Sequence, residues 1–572
     1  MTNYKVRTHL YAAILNYLMI FDISDQPDEC EYKKDIEYYE NIRILLSNMN
    51  NLLKILCTDS CEGLNIVTMM GLTLLNKIID LDPTNPKWLK YLNDNGYINC
   101  IINTIKNTDN ELLEESFNSQ TNNDKVFFIY ETKLALFATI AKTSYGAEML
   151  IKNGLISCLS QCSVFSLRVK FDRNIYAKRS AAYLIQLLHQ FYQIFFPILN
   201  LFILILNTTG SNNIEIKTQI SKFVLAHNET FLHILTSKVG DNKMLDELKL
   251  VTCLLSKLSP FDLLKYEISC DKIGGEHDSI FSRIHREILN LINVYLVPEQ
   301  LKYLRKEIEH HSANKHNVIK LTNSSFAEIA SNIVTYSTNV MKVSQQKIPL
   351  LIFSAKIESQ QLHPYSPTMM QINSKYLQLG LLIDFLKYSM ENLDKSIELE
   401  AELNHKNQHV NDLLEIEKKQ LVGENKMFER MADTEKQLHL RQILKIHLKA
   451  ARNELLTYRL MIERGLLILW RHIEFYLINR DLNLPSYQLF RTDFYSTDQN
   501  LEMENKRLDR YSADSKSRED FVKFKNDLDA IMGANFFKKC LDVDQKVQHF
   551  KHDNFVAIVS KRIQKLMHLI SH

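Results

Sequence analysis

Three groups of residues have types and spacings that could carry chemistry. Cys57 with Cys61, and Cys158 with Cys162, each set two thiols three residues apart, inside the gap that zinc-binding pairs use. Cys57 precedes an expected helix cap, and Cys158 and Cys162 fall one turn apart on a core-facing helix. Both pairs therefore read as buried structural thiols, small hydrophobes rather than ligands. Glu309-His310-His311 with His316 is a local histidine cluster. It lacks the spacing that sets two imidazoles one turn apart with a carboxylate between them, and reads as a solvated turn. His227 falls on an apolar helical face and reads as a core histidine with its hydrogen bonds met. No serine-nucleophile elbow, phosphate-binding loop or dinucleotide fingerprint occurs, and Gly274-Gly275 stands alone. Ser366-Pro367 offers a proline-directed kinase site, where phosphate would add roughly −1.5 to −2 charges. Asn207-Thr208-Thr209 has the glycosylation spacing, but the start of the chain has no secretory pattern, and glycosylation is not inferred. The expectation is no enzyme, no cofactor, no metal and no small-molecule substrate.

What remains for the residues to do is to form surfaces. The chain has 572 residues with Gly 13 and Pro 10, too few turn-makers for sandwiches, barrels or glycine-rich nucleotide folds. With a hydrophobic share of 45% and a charged share of 24%, most of it should fold around a large core. Lys+Arg 69 against Asp+Glu 67 leaves +2, without the basic excess of a nucleic-acid binder. The nine cysteines are scattered, as reduced intracellular thiols are. The start, MTNYKVRTHLYAAILNYL, reads as an amphipathic helix. Ser180 to Ile214 has no Asp, Glu, Lys or Arg, but Gln186, His189, Gln190, Gln193, Pro197 and Asn200 interrupt it. A helix buried by neighbouring helices explains it better than a transmembrane segment.

Helix punctuation sets the organisation. Asp59-Ser60-Cys61-Glu62 has capping-box spacing and would open a helix with Leu64, Val67, Gly71, Leu74 and Ile78 on one face. Asp82-Pro83 ends it, Asn85-Pro86 opens the next, and Asn95-Gly96 stops that one. Leu92 to Ile101 lines up with Leu150 to Leu159 at an offset of 58 residues, Asn-Gly on Asn-Gly. A helical pair repeating through the same corner is the mark of a solenoid, with Asn107 to Lys125 taking up the excess length as a loop. The stretch between Asn200 and Asn213 turns polar and reads as a second loop. The fold class is all-α, an α-solenoid of stacked antiparallel helical pairs of armadillo or HEAT kind, with long helices in the C-terminal part. The expected divisions are solenoid repeats over 1–345, a linker over 346–374, a long-helix hairpin region over 375–485, a mobile polar loop over 486–520 and a helical tail over 521–572. Within the hairpin region, Tyr376 to Leu403 and Val410 to Tyr476 read as long helical segments, interrupted at His405 to His409 and again at Gly423. The last helix, Asn554 to Ile570, carries Val556, Val559, Ile563, Leu566 and Ile570 on one stripe.

Several blocks, in order, resemble one family. His9-Leu10-Tyr11 with Leu15-Asn16-Tyr17-Leu18, Trp88 to Tyr97, Tyr130 to Leu136, Gly146 to Cys162, Tyr192 to Leu199 and Phe223 to Asn228 look like the giant inner-ring scaffold nucleoporins of the nuclear pore complex, the 205/192 class. The resemblance is carried over Tyr4 to Tyr295. Its members are several times longer, so it implies the C-terminal part of one, as a truncated gene model or a shortened paralogue. It also implies a non-enzymatic α-solenoid at the nuclear envelope, with other inner-ring nucleoporins as partners. Short helical segments of linker nucleoporins, notably of the coiled-coil-bearing inner-ring nucleoporin, would bind in its surface grooves. Val559, Ile563 and Leu566 are the expected partner groove, because a terminal solenoid helix has one face without a repeat to cover it. The other reading of that stripe is a cap on the core. The alternative function is a mobile α-solenoid transport receptor or coat adaptor.

Overall fold

The computed structural model describes residues 2–19, 50–63, 65–81, 86–117, 125–168, 181–210, 213–258, 280–311, 315–343, 352–355, 378–422, 426–479, 516–546 and 555–569. Among them regular structure is helical, apart from an isolated bridge between Ser354 and Gln378. Contacts gather the chain into two compact units, Met1–Ser237 with Cys253–Ile284, and Lys238–Thr252 with His285–His572. The expected linker 346–374 lies outside the described residues except for 352–355, and the expected loop 486–520 except for 516–520. Gly274-Gly275 and Ser366-Pro367 also lie outside them.

The first unit contains α1 (Thr2–Met19), α2 (Asn50–Glu62), α3 (Asn65–Leu81), α4 (Pro86–Asp94), α5 (Tyr97–Phe117), α6 (Lys125–Ile140), α7 (Ser144–Lys152), α8 (Leu155–Ser160), α9 (Ala181–Thr209), α10 (Ile214–Ala226) and α11 (Asn228–Thr236). They stack in two layers. α1, α3, α6 and α9 pack side by side in one, and α2, α5, α8 and α10 in the other. The short helices α4 and α7 touch each other across the corners. The 58-residue offset is thus a structural period: α4 and α7, like α5 and α8, begin 58 residues apart, and each member of a repeat meets its counterpart in the next.

The corner glycines explain the period. Gly96 has φ 73 and Gly154 has φ 81, the left-handed region that costs a side chain but not glycine. At each corner the preceding asparagine ties back by one turn: Asn95 Nδ2 donates to the Tyr91 carbonyl and Asn153 Nδ2 to the Met149 carbonyl, both at 2.8 Å. Asn153 Nδ2 also donates to Asn93 Oδ1 at 2.9 Å, joining one corner to the next. A Cβ at Gly154 would meet nothing within 4 Å, so the cost of Gly154→Ala is conformational. It is expected to be about 1 kcal/mol, and smaller for Gly154→Asn, which tolerates this region. The shift in denaturation midpoint measures both.

Three local expectations need correction. Asp59 does not open a helix; it lies in the last turn of α2. Its carboxylate accepts from Tyr11 Oη at 2.7 Å and from Arg7 at 2.9 Å, and its carbonyl accepts from Gly63 N–H at 3.0 Å. Asn107 to Phe117 is not a loop, because α5 continues through it. There Asp109 turns inward to accept from the N–H groups of Ser163 (2.9 Å) and Val164 (3.0 Å). The helix before Gly210 likewise runs on to Thr209. Leu64, Asn85 and the turn at Asp82-Pro83 lie outside the described residues.

The charge-free segment does form core. Residues Ile185–Thr209 of α9 are long and apolar enough to cross a membrane. Here Phe191, Ile194, Phe195, Ile198, Leu199, Leu201, Phe202 and Ile205 are fully buried, against α6, α7 and an aromatic cluster. In that cluster the Phe223 ring sits 4.8 Å from Phe202, 4.7 Å from His227, 5.6 Å from Phe165 and 6.3 Å from Phe231 between centroids.

The second unit holds the first residues of α12 (Asn242–Lys257), most of α13 (Ile280–Asn290), α14 (Ile292–Tyr295), α15 (Pro298–His311), α16 (Lys315–Val343), α17 (Leu379–Gln408), α18 (Glu415–Val422), α19 (Lys426–Arg430), α20 (Asp433–Asn479), α21 (Lys516–Lys546) and α22 (Phe555–Leu569). α20, 47 residues and so about 70 Å long, is its spine, packing on α16, α17, α18 and α22. α17 and α20 run antiparallel, since Gly465 meets Leu386 and Arg452 Nε donates to Glu400 at 2.8 Å. A Cβ at Gly465 would come 2.7 Å from Leu386 Cδ2, so the two helices approach closely there. The expected helical segment Val410 to Tyr476 is interrupted before α20. Glu417 accepts from Leu414 N–H at 3.0 Å and Glu435 from Ala432 N–H at 3.2 Å, so side chains cap two fresh helix starts.

Candidate partner-binding surface

The interruption before α20 creates an opening. Leu403, Val410, Leu413, Leu440, Leu444, Leu448 and Ala451 form a small buried cluster, with Leu421, Val422 and Phe428 packed partly against it. Above them lies a cavity of about 500 Å³. Val410, Val422, Phe428 and Leu440 supply apolar lining. Glu415, Lys418, Lys419, Glu429, Asp433 and Lys436 supply charge, three of each sign. Lys418 pairs with Glu415 at 2.8 Å and Lys436 with Asp433 at 3.6 Å. The Lys418 ammonium holds the Glu415 carboxyl below its ordinary pKa. Beside the cavity Leu414 is 67% and Ile416 70% exposed. An apolar floor inside a balanced charged rim suits a peptide side chain, with polar groups to fix its direction. Sequence reading passed this site over. Its signal was two bulky aliphatic residues, Leu414 and Ile416, in an otherwise charged segment.

The residues of the expected groove lie on α22. Val559 and Ile563 are buried, as is Val556, and α22 packs on α20 and α21. The Leu566 side chain lies outside the described residues. The solvent face of the helix carries Ile558, Lys561, Arg562 and Lys565, with the Arg562 guanidinium 5.3 Å from the Trp470 ring centroid. Val556, Val559 and Ile563 thus face the chain's own helices.

The other candidate residues are distributed as follows. Cys57 and Cys162 are buried and Cys61 and Cys158 half-buried, all as free thiols. Among the described residues no three His, Cys, Asp or Glu gather as a metal site. The side chains of Glu309, His310, His311 and His316 lie outside those residues. His227 is core as expected, edge-on to Phe165 at 5.3 Å, and burial pushes its pKa down to about 4. The ring is turned toward the backbone of Leu159 and Ser160.

A histidine that the sequence did not single out is better held. His472 Nε2 accepts from the N–H groups of Ile352 (2.9 Å) and Phe353 (3.0 Å), while Nδ1 faces the Ile468 carbonyl at 2.8 Å. Tyr476 Oη donates to the Phe353 carbonyl at 2.6 Å. Together they fasten residues 352–355 to α20. The ring must be neutral to accept twice, and burial lowers its pKa to about 4.

Comparison with known proteins agrees with this architecture. The chain is 26% identical over 609 aligned positions to nuclear pore complex protein Nup205 of Homo sapiens, covering 99% of this chain and 30% of that protein. It is 20% identical over 363 positions to Nup205 of Drosophila melanogaster, covering 59% of this chain and 17% of that one. The chain thus spans less than a third of the length of these relatives. The similarity to the human protein runs well past Tyr295, where the resemblance read from residues alone ends. Residues 1–259 match the family model described as nuclear pore complex scaffold, nucleoporins 186/192/205, so the class that the ordered sequence blocks resemble is the class to which this chain is similar.

Proposed function

We propose that the chain is a structural element of the nuclear pore complex scaffold at the nuclear envelope, and that it acts by being bound. Similarity to human Nup205 over 99% of its length carries this reading. The two-layer stack of the first unit supports it, because such stacks expose extended surfaces without needing a catalytic cleft. Its partners are other pore nucleoporins, including helical segments of linker nucleoporins. We place the receiving surface at the cavity between α18 and α20. The stripe of Val559, Ile563 and Leu566 is the poorer receiver, as two of its residues are covered by α20 and α21.

A tagged chain should concentrate at the nuclear rim and exchange slowly after photobleaching. A diffuse, rapidly exchanging pool would instead favour a mobile transport receptor. Replacing Leu414 and Ile416 together by Asp should weaken capture of amphipathic pore-protein segments about tenfold while leaving the melting profile unchanged, since both side chains are already in water. Undiminished capture would remove the cavity from the proposal.

A further inference from the structure

The end of α8 and the residue two past it carry two thiols one turn apart, with Lys106 of the neighbouring α5 beside them. Cys158 is half-buried and donates through Sγ to the Ile102 carbonyl of α5 at 3.5 Å. Cys162 follows the helix in extended conformation, φ −74 and ψ 126, and folds back so that its Sγ reaches the Cys158 carbonyl at 3.5 Å. Lys106 of α5 is held by Gln161, with Nζ to Oε1 at 3.1 Å, and its charge lies within electrostatic range of Cys158. Asp109 anchors the turn that carries Cys162 through the N–H groups of residues 163 and 164. The Tyr130 hydroxyl, fully buried and without a hydrogen-bond partner, lies within electrostatic range of both sulfurs.

We propose that Cys158 and Cys162 are a peroxide-oxidisable dithiol, with Cys158 the attacking sulfur and Cys162 the resolving one. Two features separate Cys158 from the other buried thiols. On ionising, Cys158 would gain the Cys162 S–H as a donor, and the Lys106 charge lies in range, so its thiol is held below its ordinary pKa, whereas burial pushes Cys57 and Cys540 up to about 12. It is also reachable from solvent, while Cys162 is buried and reachable only from its neighbour. The chemistry takes a hydroperoxide as oxidant. The Cys158 thiolate attacks one peroxide oxygen, an S–O bond forms, the O–O bond breaks, and hydroxide leaves to take up a proton. Cys162 sulfur then attacks the sulfenic sulfur, an S–S bond forms, the S–O bond breaks, and the Cys162 proton leaves with the departing hydroxide as water. In sum, two thiols and one hydrogen peroxide give one disulfide and two waters. An i, i+4 pair whose second member has left the helix can close to the Cα separation that a disulfide needs.

The test uses the full wild-type chain and a brief pulse of hydrogen peroxide, followed by alkylation and mass spectrometry of each cysteine. The more acidic and more exposed thiol of Cys158 should react at least about tenfold faster than that of Cys57. The peptide Asn153–Arg168 should lose two hydrogens and regain them on reduction. Cys162→Ser should stop the reaction at a Cys158 sulfenic acid that dimedone traps. Oxidation of Cys158 no faster than that of Cys57, or wild-type Cys158 going on to sulfinic acid without the link, would overturn the proposal. Both readouts come from the unmodified protein, so a poorly folding variant does not weaken them.

Discussion

Phe223→Ala should destabilise the first unit by about 3–5 kcal/mol, the range for removing a buried aromatic ring. Phe223 is fully buried, and its ring is the common neighbour of Phe165, Phe202, His227 and Phe231. These residues come from the 3-10 turn 163–166, α9, α10, the α10–α11 junction and α11. No single neighbour can fill the space left, since each is held on a different element. The two tryptophans separate the response. Trp88 lies in the first unit and Trp470 in the second, so single-tryptophan backgrounds report each unit. The Trp88 transition should move to markedly lower denaturant while the Trp470 transition stays. An unmoved Trp88 transition would mean that the cluster stabilises little.

His472→Phe should cost the second unit about 3 kcal/mol, although the side chain keeps its bulk. The variant leaves the N–H groups of Ile352 and Phe353 without an acceptor in a buried site, and each unpaired group costs about 1–3 kcal/mol. Faster amide exchange at 352 and 353, with the Trp470 transition at lower denaturant, is the expected record. The same ring makes the wild-type unit acid-sensitive. Its folded pKa is about 4, against about 6.5 in the unfolded chain. Below pH 6.5 the unfolded state takes up a proton that the folded state refuses. The contribution is therefore complete above pH 6.5 and is lost as pH falls from there to 4, about 3 kcal/mol in all. His285, buried against Tyr336 with Nδ1 2.8 Å from its hydroxyl, is lowered to about 4 as well. His472→Phe should thus lessen the acid slope of the Trp470 transition without abolishing it.

These residues also show where sequence reading stops. The Asn-Gly corners were legible because a left-handed glycine is a local requirement, decided by a handful of neighbouring residues. Helical faces such as Val67, Gly71, Leu74 and Ile78 were legible for the same reason, and all four are buried. Asp59 was misread because its partners, Tyr11 and Arg7, lie 48 and 52 residues away. A carboxylate suited to capping its own helix serves another helix instead. Asn107 to Phe117 looked like a loop because it is polar, yet its Asp109 caps a turn 54 residues on. The clamp at His472 joins positions 119 and 120 residues apart, and no spacing rule links them. The cavity between α18 and α20 follows from two helix starts that side chains impose. Gly423 signalled a break in that segment, but not which side chains would cap the helices beside it.

The layering of the first unit has a mechanical consequence. Within each layer the inner helices are braced by the ones just before and after them, and the Asn93–Asn153 bond ties one corner to the next. A load applied along such a stack is passed from neighbour to neighbour, so it should yield in small successive steps. A stretched molecule of this kind would lengthen like a spring with separable coils and recover when released.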